Sequence, residues 1–173
     1  MPKKTHLEDS LAEKAERRPR YYLAHPIKDR RSVRSWELGV ERTYAINLFN
    51  PFYDGNESGE IKRLDKNVRL VSYNRALDGK KIVEGDIKMI KASDGVVAIV
   101  TDRISVGTAM EIFFNSYILK KPTHIIIEKG ELSTHPWLRY LSEISNGDIY
   151  HSREEFVDKF VSGSCRKLAV GKE

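Results

Sequence analysis

The sequence is short of most residues on which the commoner kinds of binding and catalytic chemistry are built. It has one cysteine in 173 residues, Cys165, in a polar C-terminal stretch without a second thiol. That excludes a disulfide framework, and with no His or Cys at ligand spacing nearby it speaks against a zinc site. The five histidines (His6, His25, His124, His135, His151) show no metal-ligand spacing either. No serine lies in a nucleophile-elbow pattern, and the first loop carries neither G-x-G-x-x-G nor G-x-x-x-x-G-K-[ST]. Metal, serine-hydrolase, dinucleotide and P-loop chemistry therefore lose their usual warrant, and no cofactor is expected. Long hydrophobic runs are missing too. The longest, Val96 to Val100, is far below the roughly 20 residues that cross a bilayer. Met1-Pro2-Lys3-Lys4 is not followed by the apolar core of a signal peptide. A soluble, cytoplasmic protein without a membrane partner is the expectation.

A strong excess of one charge is absent as well. The net charge is +5 with 32% of residues charged, and acids and bases are interleaved along most of the chain. No basic stripe with aromatics placed to stack on bases stands out, so the balance favours small anionic ligands over nucleic acid.

What is present is a core. With 40% apolar residues, a chain of this length makes one domain, read here as residues 20–163 between a polar arm (1–19, with Leu7, Leu11 and Ala15 at helical spacing) and a basic tail (164–173). Short apolar runs with strand character, Tyr21 to Ala24, Tyr44 to Phe49, Val96 to Val100 and His124 to Ile127, alternate with longer stretches that can hold helices. This reads as βαβ units around a parallel sheet. Ser32 to Arg42 suits a crossover helix, and Lys81 to Lys91 a second with Val83, Ile87 and Ile90 on one face. Thr108 to Leu119 suits a third with Phe113, Phe114, Tyr117 and Ile118 toward the core, closed by Lys120-Lys121-Pro122. Two more fall around Trp137 to Ile144 and Glu154 to Val161. The polar stretch from Asp54 to Lys80 is far longer than a typical α/β connection and reads as disordered or as a lid.

In open parallel sheets ligands bind at the carboxyl ends of the strands, which directs attention to His25-Pro26-Ile27-Lys28, to Asn50 through Asp54 and to Thr101 through Glu111. The last segment gathers Asp102, Ser105, Gly107, Thr108 and Glu111 at one helix N-terminus, a natural site for an anion. Each has a plainer reading. Thr108-x-x-Glu111 matches a capping box, which spacing alone favours, and Ser105 and Gly107 suit a turn equally well. Asp86, a single carboxylate in a packing helix, suits the surface, and Asp94 suits a turn. The cluster Lys28, Arg30, Arg31 and Arg34 suits a solvated face, or a phosphate partner after the first strand.

Three segments in order change this balance: Tyr21-Tyr22-Leu23-Ala24-His25-Pro26, then Asp86-Ile87-x-x-Ile90-x-x-Ser93-Asp94 leading into Val96 to Val100, then Ser105-Val106-Gly107-Thr108-Ala109-Met110-Glu111. Over roughly Tyr21 to Ile127 the chain resembles the nucleoside 2-deoxyribosyltransferase superfamily, nearest its 2'-deoxynucleoside 5'-monophosphate N-hydrolase branch. The resemblance implies a flavodoxin-like, Rossmann-like three-layer α/β sandwich with a five-stranded parallel sheet, and a homodimer or higher homo-oligomer with sites near subunit contacts. It implies that Glu111 attacks the anomeric carbon to give a covalent glycosyl-enzyme. Asp86 then engages the sugar or the departing base, and Tyr22 holds the nucleophile. N-glycoside cleavage passes through an oxocarbenium-like state that one carboxylate traps while a second acid assists the leaving group, so the set makes chemical sense.

Ser105 bears on the substrate. Six positions before the nucleophile the transferases tend to carry an aspartate, whereas the hydrolases resemble this chain in carrying a serine, which can donate to a phosphate. With Gly107, Lys28 and Ile27 it forms a candidate phosphate cradle. The chain departs from the hydrolases at His25-Pro26, where they usually have a small Gly-Ser pair. Base recognition is assigned to Phe52, Tyr53 or Tyr73, and Tyr22 crowds the sugar's second carbon, which favours deoxyribose. The expected activity is hydrolysis of a (deoxy)nucleoside 5'-monophosphate to free base and sugar phosphate. Base exchange between nucleosides, cleavage of a nicotinamide nucleotide, and a non-catalytic nucleotide-sensing domain are the alternatives.

Overall fold

The structure is a computed structural model that describes residues 17–54, 78–101, 103–130, 132 and 135–168. The expectations placed on residues 1–16, 55–77 (with Tyr73), Asp102 and 169–173 lie outside them. Four apolar runs become strands: β1 (Arg20–Ala24), β2 (Asn47–Phe49), β3 (Gly95–Val100) and β4 (Thr123–Ile127). A fifth, β5 (Ile149–Tyr150), is only two residues long and has no pattern to single it out. All neighbours pair in parallel in the order β2-β1-β3-β4-β5. This is the flavodoxin-like order, with its switch point between β1 and β3. Every residue of β3 and β4 is buried, as expected of parallel strands covered on both faces.

The helices supply that cover. They are α1 (Arg30–Thr43), which a 3-10 turn (Ile27–Asp29) leads into, α2 (Gly79–Ala92), α3 (Val106–Phe113), α4 (Pro136–Ile144) and α5 (Arg153–Phe156). Alternate strand residues divide between two cores. Tyr21, Leu23, Val97 and Ile99 meet Val33 and Val40 of α1 and Phe156 of α5. Tyr22, Ala24, Val96 and Ala98 meet Ile90 of α2, Ile112 of α3 and Leu138 of α4. The result is the three-layer α/β sandwich.

Several local expectations are corrected. The run from Tyr44 enters the ladder only at Asn47, because α1 continues to Thr43 and Tyr44 bridges Lys167 instead. On α2, Val83 is 55% exposed, and Ile82, Asp86, Met89 and Ile90 face inward. Tyr117 and Ile118 are exposed rather than core residues. Beyond α3 the helix widens into a π-turn (Phe114–Ile118), which rotates its inner face onto Asn115 and Ser116. The Asn115 amide then donates to Thr123 Oγ1 at 2.8 Å and to the Pro122 carbonyl at 3.0 Å. Cys165 is buried, because residues 165–168 return to the domain, with Ala45 N–H donating to the Arg166 carbonyl and Leu168 N–H to Thr43. Asp94 is structural, as expected: it accepts from the Arg20 N–H at 2.8 Å and pairs with Arg17.

Candidate active site

Three elements converge on one phenol. Tyr22 lies mid-strand in β1 with its side chain wholly buried, and its hydroxyl donates to Glu111 Oε1 at 2.7 Å. Glu111 stands in the second turn of α3. Asp86, on the inner face of α2, is close enough to the Tyr22 hydroxyl for each to shift the other's hold on its proton. A buried strand residue thus stands near two carboxylates carried by two helices.

The environment splits their protonation. Burial, together with the charges of Glu111 and Asp86, holds the Tyr22 proton on well above the phenol's usual range. Burial also pushes the Asp86 carboxyl up to about 6, against the hydrogen bond from Tyr22, which lowers it. One phenol proton cannot serve both carboxylates at once. At 2.7 Å Glu111 holds the phenol proton, and Asp86 is the carboxyl that burial carries toward protonation, so the set presents one acid and one candidate nucleophile.

The capping-box reading of Glu111 is overturned. The N-cap of α3 is Ser105, whose Oγ accepts from the Thr108 N–H at 3.1 Å and lies 2.8 Å from Thr108 Oγ1. With the cap formed one turn earlier, Glu111 has no terminal donors to satisfy.

No protein-family model matches the chain, and no curated protein matches it. Among solved structures, a conserved protein from Enterococcus faecalis V583 matches with a TM-score of 0.54 and 20% identity, over 82% of this chain and 96% of that one. It shares the fold. A CMP N-glycosidase of Clostridium botulinum is similar with a TM-score of 0.46 at 20% identity, over 81% of this chain and 95% of that one. A 2-deoxyribosyltransferase from the psychrotolerant bacterium Bacillus psychrosaccharolyticus gives 0.42 at 21%, over 65% and 74%.

Around the three central residues the other candidates spread out. Ser105 and Gly107 form the N-terminus of α3, with Gly107 exposed. Ile27 and Lys28 lie on the 3-10 turn that Pro26 caps. The two loops are tied together by Thr101 Oγ1 donating to Asp29 Oδ2 at 2.8 Å. Phe52 packs edge-on to His25, with ring centres 4.9 Å apart, and Tyr53 lies under the Arg34 guanidinium at 5.1 Å. The ring stacked on Tyr22 is that of Phe49, 6.1 Å away, which sequence reasoning did not single out.

It also passed over a buried polar network at the ends of β1 and β2. Glu37 of α1 is fully buried. It accepts from Asn50 Nδ2 at 2.6 Å and from Arg34, which also pairs with Asp54 at 3.1 Å. A signal for it existed: Val33, Glu37 and Val40 share the i, i+4, i+7 face of α1, so the glutamate stands at a core position. Among the described residues no group of three or more His, Cys, Asp or Glu is placed to hold a metal.

Proposed function

We propose that this protein cleaves the N-glycosidic bond of a (deoxy)nucleoside 5'-monophosphate, with Glu111 as nucleophile and Asp86 as the acid that assists the departing base. The observation that carries the reading is the buried Tyr22 phenol bonded to Glu111 at 2.7 Å, with the Asp86 carboxyl close enough to be shifted by it. The resemblance over Tyr21 to Ile127 supports it with the same three residues. Glu111 attacks the anomeric carbon as the carbon–nitrogen bond breaks, and the Asp86 proton goes to the base. Water then attacks the glycosyl ester, giving its proton to the Asp86 carboxylate, and releases the sugar phosphate and the Glu111 carboxylate. Ser105, Gly107 and the turn at Ile27 and Lys28 take the phosphate.

One observation favours a second reading, base exchange on unphosphorylated nucleosides. Asp29 places a carboxylate between the two loops assigned to the phosphate, where it would repel a dianion and accept from a sugar hydroxyl.

The reading includes a homo-oligomer. Val106 (80% exposed), Met110 (60%) and Tyr117 (46%) of the Glu111 helix and its π-turn, with Trp137 (62%) and Tyr140 (53%) of α4, leave an apolar face open beside the site. Five large apolar side chains exposed on neighbouring helices are what an interface core, of roughly 800 Å² per partner in a standard case, is built from. A second copy of this chain is the occupant of this face. Sedimentation velocity tests this: Met110→Glu with Trp137→Glu converts an oligomer to monomer, and a monomeric wild type refutes it.

The activity is tested by chromatography of products from ribo- and deoxyribonucleosides and their 5'-monophosphates, with wild type and Glu111→Gln. Free base from monophosphates, lost by about a thousandfold or more in the variant with the fold kept, supports the hydrolase. Reaction of nucleosides alone, enhanced by an acceptor base, supports exchange. Release that survives Glu111→Gln overturns both.

A further inference from the structure

We infer that Glu37, through Asn50, is a positioning residue that fixes the segment from Phe49 to Asp54 over the Tyr22–Glu111 pair. The inference rests on the proposed reaction at that pair. Asn50 is the hub of the segment. Its backbone N–H donates to Asp54 Oδ2 at 3.0 Å, and its carbonyl accepts from the N–H groups of Tyr53 at 3.0 Å and Asp54 at 2.8 Å. Its side-chain Oδ1 accepts from the Phe52 N–H at 3.2 Å. The last of these depends on which way the amide points, and the Glu37 carboxylate decides that, because only the NH₂ side of Asn50 can face it at 2.6 Å, which leaves Oδ1 for the Phe52 N–H. Phe49, one residue earlier, lies against Tyr22. A fully buried carboxylate in α1 is therefore connected by one side chain to the segment that follows Phe49, whose ring stacks on the phenol bonded to Glu111.

The network has no evident structural need for a charge. Both Glu37 oxygens face donors, Asn50 on one side and Arg34 on the other, so the ionised form fits and a protonated one must displace one of them. Burial raises the Glu37 carboxyl to about 7, while the bonds from Asn50 and Arg34 lower it. The other charged and titratable groups around it are Asp54, paired with Arg34, Glu41 on the same helix, and His25, whose Nε2 lies 3.3 Å from Asn50 Oδ1. Burial holds His25 down at about 4, so it stays neutral across the range in which Glu37 titrates. Loosening the segment should weaken substrate binding more than the chemical step.

The test uses the full chain, wild type and Glu37→Gln, with Glu37→Asp as the conservative variant. In wild type, KM rises as pH falls through about 7. Glu37→Gln raises KM about tenfold at pH 8, keeps kcat within about threefold and loses that pH limb, and Glu37→Asp recovers part of the affinity. Hydrogen exchange in the free protein gives a readout independent of turnover: the amides of Phe52, Tyr53 and Asp54 exchange at least about tenfold faster in Glu37→Gln, while those of β3 and β4 do not change. Unchanged KM in an active enzyme, or unchanged exchange at residues 52–54, overturns the inference. Faster exchange in a protein whose wild type releases no base overturns the proposed reaction, and with it any role of Glu37 in that reaction.

Discussion

Replacing Tyr22 with phenylalanine removes one oxygen from a fully buried position and nothing else, so its effect can be worked from the geometry. The bond lost is a 2.7 Å hydroxyl-to-carboxylate contact. Hydrogen bonds to charged groups are worth about 1.5–3 kcal/mol, and each 1.36 kcal/mol is tenfold in rate, so kcat should fall about 10- to 150-fold if Tyr22 aims Glu111. A second effect has a definite sign. The Tyr22 hydrogen bond lowers the Asp86 carboxyl, so without it Asp86 rises further. If protonated Asp86 is the acid, wild-type kcat falls as pH rises through about 6, and in Tyr22→Phe the same fall begins at higher pH. The assay is initial rate of base release from pH 4.5 to 9, with circular dichroism confirming the fold at each pH. A variant within about twofold of wild type at every pH, with the descending limb unmoved, refutes the role given to this phenol.

Asp86→Asn tests the same limb through stability. A folded carboxyl raised from 3.8 to about 6 contributes stability that is present below about 4 and lost as pH rises through about 6. The variant should therefore be more stable than wild type at pH 8, by about 2–3 kcal/mol, and gain nothing at pH 4. Equal melting temperatures at pH 8 sink that account. Ser105→Ala removes the N-cap of α3 and should cost about 1 kcal/mol. If Ser105 also donates to a phosphate, KM for monophosphates rises while activity on nucleosides does not, which parallel titrations decide. Gly147→Ala places a Cβ into the Thr123 carbonyl between α4 and the start of β4. It should lower the melting temperature by several degrees or abolish soluble expression, and an unshifted melt shows that the turn adapts.

The sheet was legible in the sequence because β1, β3 and β4 contain the apolar runs Tyr21 to Ala24, Val96 to Val100 and Ile125 to Ile127, as burial on both faces of a parallel sheet requires. The two-residue β5 was not, since Ile149-Tyr150 is too short to carry a period. Helix faces were the weak point. On α2 the apolar residues Val83, Ile87 and Ile90 suggested a face, yet the polar Asp86 points inward and Val83 outward, because Asp86 is there to meet Tyr22 and not to be solvated. The π-turn after α3 likewise shifts the face by part of a turn, which no 3.6-residue period anticipates. Spacing alone made Glu111 a capping residue. What singled it out as a candidate nucleophile was the order of three motifs, and what removes the capping role physically is that Ser105 already caps the helix.

The same reasoning explains why the polar residues sit where they do. Asp86 and Glu37 are carboxylates on the inward faces of helices that cover opposite faces of the sheet, and burial raises both above the usual carboxylate range. Above the resulting values each is a liability to stability. A fold selected for stability alone would place apolar side chains there. The two differ in what surrounds them. Asp86 faces the Tyr22 phenol and, raised to about 6, puts a protonatable acid close to the phenol that is bonded to Glu111. Glu37 has donors on both oxygens, which keep it charged and its Asn50 contact fixed. Burial supplies the raised value in both cases, and the partner decides whether the residue delivers a proton or holds a loop in place.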